Sequence, residues 1–178
     1  MTANKGKNKS ALRRSTARLA AVQALYQSEL TGHPADRVLE DFLQYGIGSS
    51  VTLGQDADED SAGGEVEHIL APPDGALLAV IFRGATARRE VLDEMIAGAL
   101  TGDWTVERLE SVLRAILRGG AFELIDCPDV PVRVVISEYV DIAHAFYSGP
   151  EPGLVNAVLD RIARVVRADE IGGDARPR

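Results

Sequence analysis

Hydrophobic positions along this chain recur at three- and four-residue intervals and almost never alternate, which is the signature of helices rather than strands. Leu12, Leu19, Val22, Tyr26 and Leu30 predict a first helix from about Ser10 to Leu30 with these side chains along its core-facing stripe. Thr31-Gly32-His33-Pro34 stops it, glycine suiting the C-cap and proline the next first turn. Val38, Leu39, Phe42 and Leu43 then mark a short helix over 35–45. Asp74 is a good N-cap for a third helix running to about Leu100, with Leu77, Leu78, Ile81, Leu92, Met95, Ile96 and Ala99 on its apolar stripe.

A helical stretch over Thr105 to Asp126 follows, with a jog expected near Glu110 because Val106, Leu109, Val112 and Leu113 wander in register. Gly119-Gly120 inside it costs roughly 1 kcal/mol per glycine relative to alanine, so a close neighbouring backbone is expected there. Cys127-Pro128-Asp129-Val130-Pro131 breaks the chain before an amphipathic helix over Pro131–Ser148, and Gly149–Pro152 turns it into a last helix from about Gly153 to Arg167. With no strand, hairpin or internal repeat, the pattern reads as all-α. Its expected organisation is a basic disordered tail at 1–9, a helical domain over 10–168 and a disordered tail at 169–178. Within the domain, residues 46–73 form an acidic flexible loop closed by Pro72-Pro73.

Charge changes the picture at one end. The 178 residues carry a net charge of -8, but residues 1–28 hold Lys5, Lys7, Lys9, Arg13, Arg14 and Arg18 and no acid, leaving the remainder at -14. A basic arm on an acidic body reads as an electrostatic docking element or as a solubilising tail, and charge alone leaves both open. The single cysteine, Cys127, excludes an intramolecular disulfide and a thiolate metal cluster, and reads as a small apolar residue at a helix end. The N-terminus lacks the apolar stretch of a signal peptide and no run is long enough to span a membrane, so the expected setting is cytoplasmic.

Little in the chain points to catalysis. Asp56, Asp58, Asp60 and Glu67 have the acidic spacing of a calcium-binding loop, but Ser61 stands where the sharp turn needs glycine and no amphipathic helix precedes it, so the cluster reads as solvated. Glu65-Val66-Glu67-His68 holds one Glu-x-x-His step where a di-iron bundle needs two. His33, His68 and His144 are scattered, His144 on the polar half of its helix, and no phosphate loop, dinucleotide fingerprint or nucleophile elbow occurs. The expectation is a protein that is not an enzyme and uses no cofactor and no metal. An arginine-rich helix start with a lysine leader can instead neutralise phosphates and stack on an unpaired base.

Arg13-Arg14-x-x-Ala17-Arg18 followed by Ala21-Val22-Gln23-Ala24-Leu25-Tyr26 resembles the opening of the transcription antitermination factor NusB family. Leu117-Arg118, Glu123-Leu124, the run Asp129–Val140 and Val155-Asn156-Ala157-Val158-Leu159-Asp160 extend the resemblance over residues 12–45 and 74–167. It implies two packed helical subdomains and binding of boxA-type RNA together with the ribosomal protein NusE, within the transcription elongation complex on ribosomal RNA operons. Carried over by position, Lys9, Arg13, Arg14 and Arg18 contact RNA with Arg14 and Arg18 facing outward, Tyr26 lies close by, and Glu123, as an exposed glutamate, contributes to the NusE face. Leu154 replaces a frequent phenylalanine, Gly119-Gly120 a pair that usually contains alanine, and Ser137 a common asparagine. A second function within the resemblance is an accessory RNA-binding domain serving an RNA cytosine methyltransferase in trans.

Overall fold

A computed structural model describes residues 2–45 and 71–172. Eight helices occur among them: α1 (Thr2–Thr31), α2 (Ala35–Tyr45), α3 (Gly75–Ala87), α4 (Arg89–Ala99), α5 (Ser111–Asp126), α6 (Val132–Phe146), α7 (Glu151–Val166) and the short α8 (Ala168–Gly172). A 3-10 turn at Val106–Arg108 precedes α5. No strand is present among the described residues, and none of their helices is long and apolar enough to cross a membrane. Helices α1, α2 and α3 form one packed group and α4 to α7 another, and the two meet where α1 and α3 lie on α5. They share one continuous apolar core.

Local chemistry sets most of the boundaries. The Asp74 carboxylate accepts from the N–H groups of Ala76 and Leu77 at 3.1 and 3.2 Å, satisfying two donors that the first turn of α3 leaves unpaired. Gly32 closes α1 at φ +65°, a conformation open to glycine at little cost, and its N–H reaches Ser28 O at 3.1 Å. The expected jog near Glu110 is the break between the 3-10 turn and α5.

Several expectations are corrected. Helix α1 begins at Thr2 rather than Ser10, since no proline stands in residues 2–9 to stop helical propagation, and the tail expected to be disordered is helical from there. Its predicted stripe holds only in the middle: Val22 is buried and Leu19 and Tyr26 pack against the core, but Leu12 and Leu30 are 50% and 60% exposed, and Ala17, Ala20, Ala21, Ala24 and Leu25 also lie inside. Small side chains let α3 and α5 approach this helix closely, so its alanines do the packing. The single helix expected from Asp74 to Leu100 divides at Arg88, whose guanidinium pairs with Asp126 at the end of α5. The pressure on Gly119 and Gly120 comes from side chains and not from backbone. A Cβ would stand 2.8 Å from the Tyr139 ring at the first and 2.8 Å from a Leu159 methyl at the second.

The C-terminal residues also do more than fray. Arg167 donates to the carbonyls of Leu124 (2.9 Å), Cys127 (2.7 Å) and Val130 (3.0 Å), gathering the end of α5 and the turn that follows. Glu170 in α8 accepts the Val132 N–H at 2.8 Å, capping α6 from outside. The acidic loop proposed for 46–73, with its candidate calcium and Glu-x-x-His residues, lies outside the described residues up to 70, as does the tail from 173.

Candidate nucleic-acid interface

Residues 8–14 of α1 are exposed and stand clear of the core. Lys9, Arg13 and Arg14 are exposed, and the four-residue step places Lys9 and Arg13 on one face. Together with Arg14 they present a cluster of cations to solvent. The chain returns to it at Asp74, whose N–H donates to Arg13 O at 3.0 Å. Lys9, Ser10, Arg13 and Asp74 border a shallow cleft of about 170 Å³.

One turn further on, Arg18 departs from expectation. Its side chain is 2% exposed and lies between α1 and α5, donating from Nε and Nη2 to the Glu123 carboxylate at 2.7 and 2.8 Å. Glu123 is 0% exposed. Neither faces outward: the phase of α1 that buries Ala17 and Ala21 carries Arg18 inside, and on α5 Glu123 follows Gly119 and Gly120 onto the side packed against Tyr139 and Leu159. Burial opposes the guanidinium charge, but the hydrogen bonds and charge of Glu123, with Glu138 further off, outweigh it and hold Arg18 above its ordinary pKa. Tyr139 closes the pocket, its buried hydroxyl beside Glu123 and, among the described residues, without a partner at good hydrogen-bond geometry. Burial and then the charge of nearby Glu123 push this phenol well above its usual range, so it stays protonated.

Glu138 on α6 completes the arrangement. Ser15 donates to its Oε1 at 2.9 Å, while its Oε2 lies 3.8 Å from Arg18 Nη1. These groups open on a groove of about 200 Å³ between α1 and the α5–α6 turn, walled by Val130, Pro131 and Val134, with Arg14 on its rim. Glu138 and Ser15 were not among the residues singled out from sequence. The signal available was the placing of Arg18 and Glu123 on apolar helix faces, where two opposite charges each need a buried partner.

The remaining candidates are dispersed. Tyr26 is half-buried against the core about 12 Å along α1 from Arg18. Cys127 caps α5, and burial, then the charges of Glu123 and Asp126, push its thiol pKa up, away from a reactive thiolate. His144 is exposed in the last turn of α6, and no group of three potential metal ligands occurs among the described residues.

Fold and surface define an all-helical protein with a cationic helix end set on an acidic body. The family model described as NusB family matches residues 15–164. Transcription antitermination protein NusB of Rhodospirillum rubrum is 49% identical over 165 residues, covering 91% of this chain and 89% of that protein. The protein of the same name from Bradyrhizobium sp. (strain BTAi1) is 44% identical over 165 residues, with 93% and 89% covered. Among solved structures, T. maritima NusB aligns with a TM-score of 0.66 at 25% identity, covering 89% of this chain and 96% of that one. NusB in a complex of antitermination factors NusB and NusE with dsRNA aligns at 0.64 with 20% identity, covering 85% and 96%, a likeness of fold. The chain belongs to the NusB family.

Proposed function

We propose that this chain is a non-catalytic, cytoplasmic transcription antitermination factor that binds boxA-type RNA together with the ribosomal protein NusE, within the elongation complex on ribosomal RNA operons. Family membership supports the reading, and one observation carries it to particular residues. Lys9, Arg13 and Arg14 are exposed on one end of α1, in a protein whose charge is otherwise acidic. Phosphates bind there through charge-assisted contacts, which fix the RNA without reading its sequence. Tyr26 lies further along the same helix, half-buried against the core. Arg18 and Glu123 contribute from inside, by holding α1 on α5 in the rotation that turns Arg14 outward.

Titration of boxA-like RNA, with and without NusE and at two salt concentrations, tests the proposal. Charge reversal by Arg13→Glu with Arg14→Glu is expected to weaken RNA binding at least about tenfold and to flatten its salt dependence. Wild-type affinity in that variant would overturn the assignment of this surface to RNA.

A further inference from the structure

Among the described residues, the Arg18–Glu138 pair joins a buried arginine to a part-buried carboxylate and leaves one atom of each unspent. Arg18 is held by Glu123 through Nε and Nη2, and Nη1 makes no hydrogen bond among the described residues. Glu138 is held by Ser15 through Oε1, and Oε2 accepts no hydrogen bond among the described residues. A donor and an acceptor thus stand 3.8 Å apart, each fixed by its other end, at the floor of a groove with aliphatic walls. The separation is too long for a hydrogen bond between them.

Charge selects what can enter. Glu138 at the floor and Asp129 at the rim repel a phosphate, whereas Arg14 on the rim and Arg13 beyond it attract one. A ligand suited to both has an anionic backbone for the rim and a flat, uncharged group offering an acceptor beside a donor for the floor. An unpaired nucleobase has that edge: its Watson–Crick side carries adjacent acceptor and donor atoms, which are hidden when the base is paired.

We propose that the groove between α1 and the α5–α6 turn takes one unpaired RNA base, whose Watson–Crick edge accepts from Arg18 Nη1 and donates to Glu138 Oε2. The base lies between Val134 and the Val130–Pro131 turn, and its flanking phosphates lie on Arg14 and Arg13. Arg18 acts here as a base-contacting residue and not as a phosphate clamp. Because donor–acceptor pairs occur on every base, the groove distinguishes unpaired from paired RNA more than one base from another. The inference rests on RNA binding by this end of α1, and it adds the particular place where a base is held.

The test scans a single-stranded boxA-like RNA with one abasic position at a time, against the wild-type protein and Glu138→Gln, in the presence of NusE. One position is expected to cost about tenfold in wild type, the worth of a good two-point base contact. The same abasic position is expected to cost Glu138→Gln clearly less, since its single amide oxygen must serve both the Ser15 hydroxyl and the base where the carboxylate has one oxygen for each. Ser15→Ala, which releases Glu138 without removing it, is expected to lie between. Glu138 is 25% exposed, so thermal unfolding close to wild type is expected for both variants and checks that each is folded. Uniform tolerance of abasic positions, or equal sensitivity of wild type and Glu138→Gln, overturns the base site while leaving RNA binding in place. Weakened NusE binding by Glu138→Gln in the absence of RNA would make the groove a protein surface and also overturn it. Failure of the wild-type protein to bind RNA at all would overturn both this site and the function it rests on.

Discussion

Helix α1 is tied to α5 twice, about 16 Å apart along its axis, by arginine–carboxylate clusters of reversed polarity. Midway along α1, Arg18 meets Glu123 of α5. Near its end, Glu29 of α1 meets Arg114 and Arg118 of α5, and Arg118 in turn grips Asp93 of α4 at 2.7 and 2.8 Å. The second cluster closes on itself. All three nitrogens of Arg118 are hydrogen-bonded, and Arg114 adds the carbonyls of Val106 and Leu109 and the Ser111 hydroxyl to its carboxylate. The first cluster, though more deeply buried, leaves Nη1 of Arg18 and Oε2 of Glu138 facing a groove. A saturated cluster only fastens helices. An unsaturated one fastens them and keeps a point of attachment for something outside.

The largest effect that distinguishes the two clusters is expected at Glu123. Glu123→Ala strands a guanidinium that is 2% exposed, and loss of one partner from a buried pair costs about 3–5 kcal/mol. Denaturant unfolding is expected to show that loss, whereas Arg18→Met with Glu123→Leu, which removes both charges together, is expected to stay within about 1 kcal/mol of wild type. A double variant as unstable as Glu123→Ala would show that the pair contributes specific stability of its own.

Glu29→Gln is expected to cost less, about 2 kcal/mol, because Arg118 keeps Asp93 and Arg114 keeps its carbonyls. It also carries a pH signature. Burial would raise the Glu29 pKa, but hydrogen bonds from Arg114 and Arg118 outweigh burial and hold it below the ordinary carboxylate value. A carboxyl depressed in the folded state contributes stability that is fully present above its unfolded pKa and lost as pH falls through the folded one. The wild-type unfolding midpoint is therefore expected to fall as pH drops below the ordinary glutamate range, and Glu29→Gln to fall less over the same interval. Parallel curves would remove Glu29 from the acid transition.

The difference between the two clusters also marks how far sequence reading reaches. Boundaries written in local chemistry were legible: the Asp74 cap, the Gly32 stop, the jog before Ser111 and the break at Cys127–Pro131. What could not be read was which distant groups meet. Arg18 and Glu123 lie 105 residues apart, and on charge alone an arginine one turn from Arg14 is another surface cation. The division at Arg88 has no proline or glycine at that residue to announce it and coincides with the pairing to Asp126. In α1 the centre of the stripe was legible in Leu19, Val22 and Tyr26, but the alanines that complete the buried face were not, because a helix crowded by α3 and α5 buries small residues that carry little hydrophobic signal. The cationic end was legible from charge, the base groove was not, since it exists only where α1, α6 and the turn at Val130 converge.

The smallest effect on folding is expected at Arg14, and for that reason it separates surface from support most cleanly. Arg14 is exposed and makes no ion pair among the described residues, so Arg14→Gln should change stability by less than about 0.5 kcal/mol. If Arg14 neutralises one phosphate, the slope of log affinity against log salt for single-stranded RNA should shrink by about 0.7. Glu138→Gln should behave in the opposite way, lowering affinity with the slope unchanged, because a base contact releases no counterion. Salt titrations of the two variants side by side read both values. An unchanged slope in Arg14→Gln would place the phosphates elsewhere, and a reduced slope in Glu138→Gln would mean that removing this carboxylate had shifted the phosphate contacts as well.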